Sequence, residues 1–365
     1  MKKIILFTDN LGSGGAQRQL VNLAGMLKER QYDVSILVYG DIPFYKHYLD
    51  EQNIPVVLIE RSSYIRRLFA IRRYLRRSGA DAVITFLETP GFIACFSKMG
   101  GAKWKLITSE RSAKKSAFTA RRQRLFNQFE RFADAKVCNS ENARRMWEQY
   151  YPQWKDKYCT IYNPVCISDA DLALSHKHTR GERLIITVAA SYQALKNPFR
   201  VIEALRLLSP EQRDKLRIVW HGRAEVVTGN RTVYEKAIKL VRKYGLEDCI
   251  CLKQETNEIY TVMASGDVVG LFSMVEGLPN TICEGMMLGK PIVMSRVSDY
   301  DVLTDGNGVL CDPFSVESIR DALAALVEAS EDTLREKGRI SQEKAQKLFF
   351  KDRVCDQWVA LIEQL

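Results

Sequence analysis

Val268–Val293 reads VVGLFSMVEGLPNTICEGMMLGKPIV, and the fold is decided there. Val268–Met274 is an apolar run of strand length. Pro279 suits the first position of a helix, where no N–H is needed. Gly289 suits a left-handed cap at that helix's end, and Pro291 blocks its continuation into a second apolar run. The pattern is strand, turn, helix, strand. Two carboxylates flank the turn: Glu276 at the carboxyl end of the first strand and Glu284 eight residues on, inside the helix. The amides of Asn280, Thr281 and Ile282 are expected to be free and to face the turn, where the helix dipole favours an anion. Open α/β sheets bind ligands outside the carboxyl ends of their strands. A diphosphate therefore fits against Leu278, Pro279, Asn280 and Thr281. Glu276 and Glu284 would then accept hydroxyl hydrogen bonds from the groups attached on either side.

The alternation repeats outward from this stretch. Lys2–Thr8, Val34–Tyr39, Val56–Ile59, Ala82–Phe86 and Leu106–Thr108 read as strands, and the first runs through a glycine turn, Gly14 and Gly15 included, into a helical pattern at Ala16–Arg30. After a polar stretch at Ser168–Glu182, read as linker and surface, strands resume at Leu184–Ala190, Leu216–Trp220 and Ile250–Lys253. Asp169-Ala-Asp171 and Asp299-Tyr-Asp301 are D-x-D pairs by spacing alone, and we read both as incidental. Lys196 and Asn197 follow the first strand of this second half, where a lysine reaches a phosphate as a point charge. Ala345–Leu365 carries a long amphipathic pattern. With 365 residues, two α/β domains are expected, over 1–165 and 166–344, with 345–365 packing back on the first.

The net charge of +10 is unevenly spread. Residues 1–165 hold 28 Lys and Arg against 15 Asp and Glu, whereas the remainder holds 26 against 29. The first half is expected to face something anionic. Its most basic element is Tyr64–Arg77, with Tyr64, Leu68, Ile71 and Leu75 on one stripe and Arg66, Arg67, Arg72, Arg73, Arg76 and Arg77 around the rest. We read those arginines as membrane-facing, towards anionic headgroups. A second basic segment, Lys114–Arg131, sets Leu125, Phe129 and Phe132 on one face. The basic segments lack interleaved aromatics and any reader motif, which argues against nucleic acid. No apolar run reaches membrane-spanning length, and Ile4–Phe7 is too short for a signal-peptide core. Nine scattered cysteines read as reduced and mostly buried.

Ser273, Glu276, Gly277, Pro279, Glu284, Gly289 and Pro291 stand in the register of S-x-x-E-G-x-P-x-x-x-x-E-A-x-A-x-G-x-P-V. In this the chain resembles the family 4 retaining glycosyltransferases, with Gly285 and Met287 where that family usually has alanines. Further segments resemble the same family. GGAQRQLVNLA is similar to its GGAE segment, with Gln17 for the usual glutamate. Ser109-Glu110-Arg111 is similar to an acceptor-side S-E motif, and Thr160–Val165 to the crossing between domains. Lys196-Asn197 matches the end of G-R-x-x-x-x-K-N, but Ala189-Ala190-Ser191 stands where that arginine would be, and Arg223 is the substitute expected.

The resemblance implies a GT-B fold, two doubly wound domains facing across a cleft. It implies transfer of a hexose, with retention, from a nucleotide-sugar (a UDP-sugar favoured) to a hydroxyl, with no cofactor and no metal. Glu276 and Lys196 are the expected catalytic residues. Gly14, Gly15, Lys196, Asn197, Arg223, Gly277–Thr281 and Glu284 are the expected donor contacts, with Lys253–Thr256 near the base. Gln17, Glu110 and Arg111 are expected on the acceptor side. With the basic first half, the acceptor expected is a lipid-linked saccharide, as in lipopolysaccharide or capsule assembly, at the inner face of a membrane by a cytoplasmic, peripheral protein. A nucleotide-sugar 2-epimerase of the same fold stays open as the alternative, and a nucleic-acid-binding protein as a remote one.

Overall fold

The computed structural model describes residues 1–12, 14–41, 44–111, 116–225 and 229–365. Ser13 in the glycine turn, and Lys114 and Lys115 in the second basic segment, lie outside the described residues. The chain forms two compact units. One is Met1–Pro164 with Lys351–Leu365, and the other is Val165–Phe350.

Unit 1 is built on β1 (Lys3–Phe7), β2 (Asp33–Val38), β3 (Val56–Leu58), β4 (Ala82–Phe86), β5 (Lys105–Glu110), β6 (Ala135–Cys138) and β7 (Tyr158–Thr160), in spatial order β3-β2-β1-β4-β5-β6-β7. Every pairing is parallel. A parallel sheet is covered on both faces, so its strands are apolar throughout rather than alternating. Ile4, Leu6, Ile36, Ile84 and Phe86 share one core with Leu20, Leu23 and Trp358. The intervening Ile5, Phe7, Leu37 and Val83 share another with Ile71, Leu75 and Ile93.

Unit 2 repeats the plan with β8 (Leu184–Ala189), β9 (Leu216–Gly222), β10 (Ile250–Gln254), β11 (Val268–Leu271), β12 (Ile292–Ser295) and β13 (Gly308–Cys311), in order β10-β9-β8-β11-β12-β13. These pairings are also parallel. The helix Asn280–Met287 packs on β11 so closely that a Cβ at Gly285 would stand 2.6 Å from Cβ of Val269. Gly289 follows it with φ of 71°, the left-handed conformation expected of a cap.

Some expectations need correction. Pro279 precedes the Asn280–Met287 helix instead of opening it, with φ −77° and ψ 79°. Ser168–Glu182 is not simply linker: Asp169–Lys177 is a helix, and the Ser168 hydroxyl accepts from the Asp171 amide at its start. Asp169 and Asp171 are therefore first-turn residues. The pattern Ala345–Leu365 is two helices, Glu331–Phe349 and Lys351–Gln364, because Phe350 turns to an extended conformation. Only the second belongs to unit 1, where Trp358 stacks on Phe86 at 6.4 Å.

The arginine helix Tyr64–Arg77 is the largest correction. Arg72 is half-buried and tied to a neighbouring helix, and Arg76 reaches the same place while staying exposed. Arg72 donates to the carbonyls of Phe96 and Met99, and Arg76 to those of Met99 and Gly100, at the end of the helix Glu88–Lys98. Cations suit that end because the last carbonyls are unsatisfied there. The Arg67 guanidinium lies 4.4 Å from the Tyr39 ring and 5.2 Å from the Tyr64 ring. Arg66, Arg73 and Arg77 remain exposed, alongside Ile65 and Phe69, which are 64% and 56% exposed. In the second basic segment, Leu125 is 62% exposed while Phe129 and Phe132 pack on the core, so the three do not share a face.

Candidate active site

Strand order reverses between β8 and β11 in unit 2, so the loops leaving those two strands diverge and open a place for a ligand. The two loops are tied together. The Met274 amide donates to the Leu195 carbonyl at 2.8 Å, and the Thr281 hydroxyl to the Ala189 carbonyl at 2.8 Å. Ser298, in the loop after β12, donates to the Gly277 carbonyl. Gly277, Leu278, Pro279 and Thr281 are thus fixed against the end of β8 in a cradle made by three loops.

Lys196 and Glu276 meet in this cradle as an ion pair, with side chains 19% and 13% exposed. The sequence placed them on separate loops with separate tasks, one for phosphate and one for hydroxyls. The structure brings them into contact, so each is the other's counter-charge. Of the three amides expected to be free, Asn280 donates to the Leu278 carbonyl and Ile282 to that of Pro279. Thr281 is the one without a backbone partner among the described residues. Glu284 is 6% exposed and accepts from the Tyr260 hydroxyl at 3.4 Å.

Asn197 differs from its expected role as a donor contact. It is 1% exposed, takes the left-handed conformation at φ of 68°, and donates through Nδ2 to the Pro313 carbonyl at 2.7 Å. Its amide shapes the loop that presents Lys196. Arg223 leaves β9 and pairs with Glu255 at 3.1 Å, while its carbonyl accepts from the Tyr192 amide, beside the segment that lacks the usual arginine. His221 at the end of β9 is buried, which lowers its pKa. The neutral ring donates from Nδ1 to the Gln254 carbonyl at 3.1 Å.

Spacing alone singled out neither Tyr260 nor Asp9. The Asp9 carboxylate, just beyond β1 in unit 1, accepts from the Asn10 amide at 2.7 Å and from Gln17 Nε2 at 3.1 Å. Gln17 is thereby held beside Gly14, the residue preceding the helix Gly15–Glu29. Glu110 and Arg111 lie at and just beyond the end of β5. Glu110 is 6% exposed and its Oε1 accepts from the Arg111 amide at 3.0 Å. Gly14, Gly15, Gln17, Glu110 and Arg111 thus belong to unit 1, and the other expected site residues outside the arginine helix belong to unit 2.

Comparison with known proteins agrees with this architecture. Residues 173–347 match the family model described as Glycosyl transferases group 1, and residues 13–169 match Glycosyltransferase Family 4. An uncharacterized glycosyltransferase of Haemophilus influenzae is 25% identical, over 99% of this chain and 100% of its own length. An alpha-1,4-N-acetyl-D-galactosaminyltransferase of Campylobacter jejuni, named for its GalNAc-alpha-(1->4)-GalNAc-alpha-(1->3)-diNAcBac-PP-undecaprenol acceptor, is 24% identical over 78% of this chain and 77% of its own. Among solved structures, HepE of Anabaena in complex with UDP and glucose superposes with a TM-score of 0.84 at 18% identity, over the whole of both chains. WaaG, a glycosyltransferase involved in lipopolysaccharide biosynthesis, superposes with a TM-score of 0.69 at 17% identity, over 97% of this chain and 98% of its own. Such likeness identifies the two sheets as a GT-B fold, and with the two family matches running from residue 13 to residue 347, the chain belongs to the group 1 glycosyltransferases of family 4.

Proposed function

We propose that this chain transfers a sugar, with retention and without a metal, from a UDP-sugar to a hydroxyl of a saccharide carried on a lipid diphosphate. The observation that carries the reading is the Lys196–Glu276 pair, set at the strand-order reversal of unit 2 beside the start of the Asn280–Met287 helix. Departure of a nucleoside diphosphate needs charge stabilisation more than it needs a nucleophile. Lys196 and the Thr281 amide supply it, Glu276 orients the sugar, and Glu284 accepts from the ribose. HepE, crystallised with UDP and glucose, supports the donor class, and the C. jejuni enzyme supports the acceptor class. Arg223 takes the place of the missing arginine by releasing Glu255. The role that follows is in cell-surface glycan assembly.

Donor binding tests the reading. UDP-, GDP-, ADP- and TDP-sugars are screened by thermal shift with EDTA present throughout. A ligand at a hundred times its Kd adds about 2.7 kcal/mol of stability. The expected result is a clear rise in Tm with one UDP-sugar, lost in Glu284→Ala. Folded wild-type protein that none of the four stabilises would sink the proposal.

The acceptor reading places unit 1 on a membrane surface, through a smaller basic face than the sequence suggested. Arg61, Arg73 and Arg77 surround Ile59, Phe69 and Tyr74 in a groove of about 540 Å³. Exposed apolar side chains among unpaired cations are what an anionic lipid surface binds. No helix among the described residues is long and apolar enough to cross a membrane. At low salt the protein is expected to co-sediment with phosphatidylglycerol vesicles, and Phe69→Ser/Arg73→Glu to bind them at least tenfold more weakly, since the lost basic residue removes about 1 kcal/mol and the lost ring adds to it. Equal sedimentation with neutral phosphatidylcholine vesicles would count against it.

A further inference from the structure

Arg111 carries a charge that makes no ion pair among the described residues. Its guanidinium stacks 3.7 Å from the centre of the Phe86 ring, and Nη1 donates to Asn163 Oδ1 at 2.6 Å. Nε is covered and meets no partner among the described residues. The neighbouring carboxylate, Glu110, accepts from the Arg111 backbone amide. Burial outweighs that carboxylate and pushes the Arg111 pKa down to about 9. One neutral amide oxygen does not repay the desolvation of a cation, so the arrangement lowers stability unless an anion completes it. On the neighbouring strand end, Asn139 is 3% exposed and its Oδ1 also lacks a partner among the described residues. Among the described residues, the strand ends thus hold a cation with no ion pair and a carboxamide oxygen with no donor. A phosphorylated sugar offers both an anionic oxygen and a hydroxyl.

We propose that Arg111 binds the diphosphate of the acceptor, with its guanidinium fork on the phosphate oxygens and the Phe86 ring holding its plane. Arginine suits this work because its planar fork matches phosphate in a bidentate way, and stacking fixes the fork beforehand. Asn163 sets the orientation of the fork, and Asn139 accepts from a hydroxyl of the sugar next to the diphosphate. This rests on the lipid diphosphate reading of the acceptor, and it makes Arg111 a residue that trades stability for binding.

Isothermal titration with geranyl diphosphate, inorganic pyrophosphate and geraniol tests it, with UDP saturating so that the donor cradle is filled. The UDP titration itself reports whether the donor reading holds, and if UDP does not bind, Lys196→Ala serves as the background instead. Geranyl diphosphate is expected to bind wild type and to bind Arg111→Met at least tenfold more weakly, with geraniol silent. Arg111→Met is expected to melt no lower than wild type, which a purely structural arginine would not allow. Equal binding to both proteins, or none to wild type, would overturn the assignment. Pyrophosphate binding without geranyl diphosphate binding would put a free phosphate there and overturn the acceptor role. Should Arg111→Met fail to fold, the N–H signal of Arg111 Nε in wild type decides, since it shifts with geranyl diphosphate only if the guanidinium meets it.

Discussion

Lys196→Ala is expected to slow release of UDP from the donor sugar by about 10²–10³-fold, the usual loss when a charge-stabilising group is removed from a transition state. Glu276→Gln should also lose turnover, yet its effect on nucleotide binding should have the opposite sign. Lys196 is held by Glu276 as an ion pair. Removing the carboxylate's charge frees the ammonium for phosphate, so UDP should bind Glu276→Gln as tightly as wild type or tighter, while Lys196→Ala binds it more weakly. Titration of UDP against the three proteins reads the asymmetry directly. If both variants lose UDP to the same extent, the pair is a structural clamp on the two loops and not a gate on the phosphate.

Gly285→Ala should destabilise the protein, although the substitution restores the residue usual for the family. In a helix interior alanine gains about 1 kcal/mol over glycine. Here the added methyl would meet Cβ and both Cγ atoms of Val269 at 2.6 to 2.8 Å. Val269 is a fully buried, β-branched residue in a central strand and has no free rotamer to retreat into. Overpacking of this kind costs about 1–3 kcal/mol, and contact at this depth lies at the upper end. A net loss near 2 kcal/mol corresponds to a fall of about 4–8 °C in Tm for a unit of this size. Val269→Ala should rescue part of the loss, and the coupling between the two changes is the measurable signature of the contact. A rise in Tm on Gly285→Ala would mean that the helix stands off β11.

The same residue shows where sequence reading ends. The strand–turn–helix–strand around Glu276 was legible because its signals are local: an apolar run, a proline, two glutamates at fixed spacing and a glycine cap. The absent alanine at position 285 read as a mild departure, because nothing local says that the helix presses on Val269. Lys196 and Glu276 lie 80 residues apart, so their contact depends on which strands are neighbours. The arginine helix failed for a related reason. Periodicity found its buried stripe, but Arg72 and Arg76 are claimed by carbonyls at the end of another helix, and a helical wheel contains no second helix. The break at Phe350 fell inside a continuous apolar pattern with no glycine or proline to mark it. Arg111 was found by motif, but the stacking of its guanidinium on Phe86 is visible only in three dimensions.

That break gives the chain a modular layout. Unit 2 is one uninterrupted span, Val165–Phe350, while unit 1 is assembled from two separate pieces. Unit 2 can therefore be exchanged between relatives as a cassette with two seams, one after Pro164 and one after Phe350. Every graft must return the same final helix, because Trp358 has to find Phe86, and Lys351 its 2.7 Å contact with Glu29, before the recipient half is whole. Unit 2 can then drift or be swapped while unit 1 keeps its own core and its own closing helix.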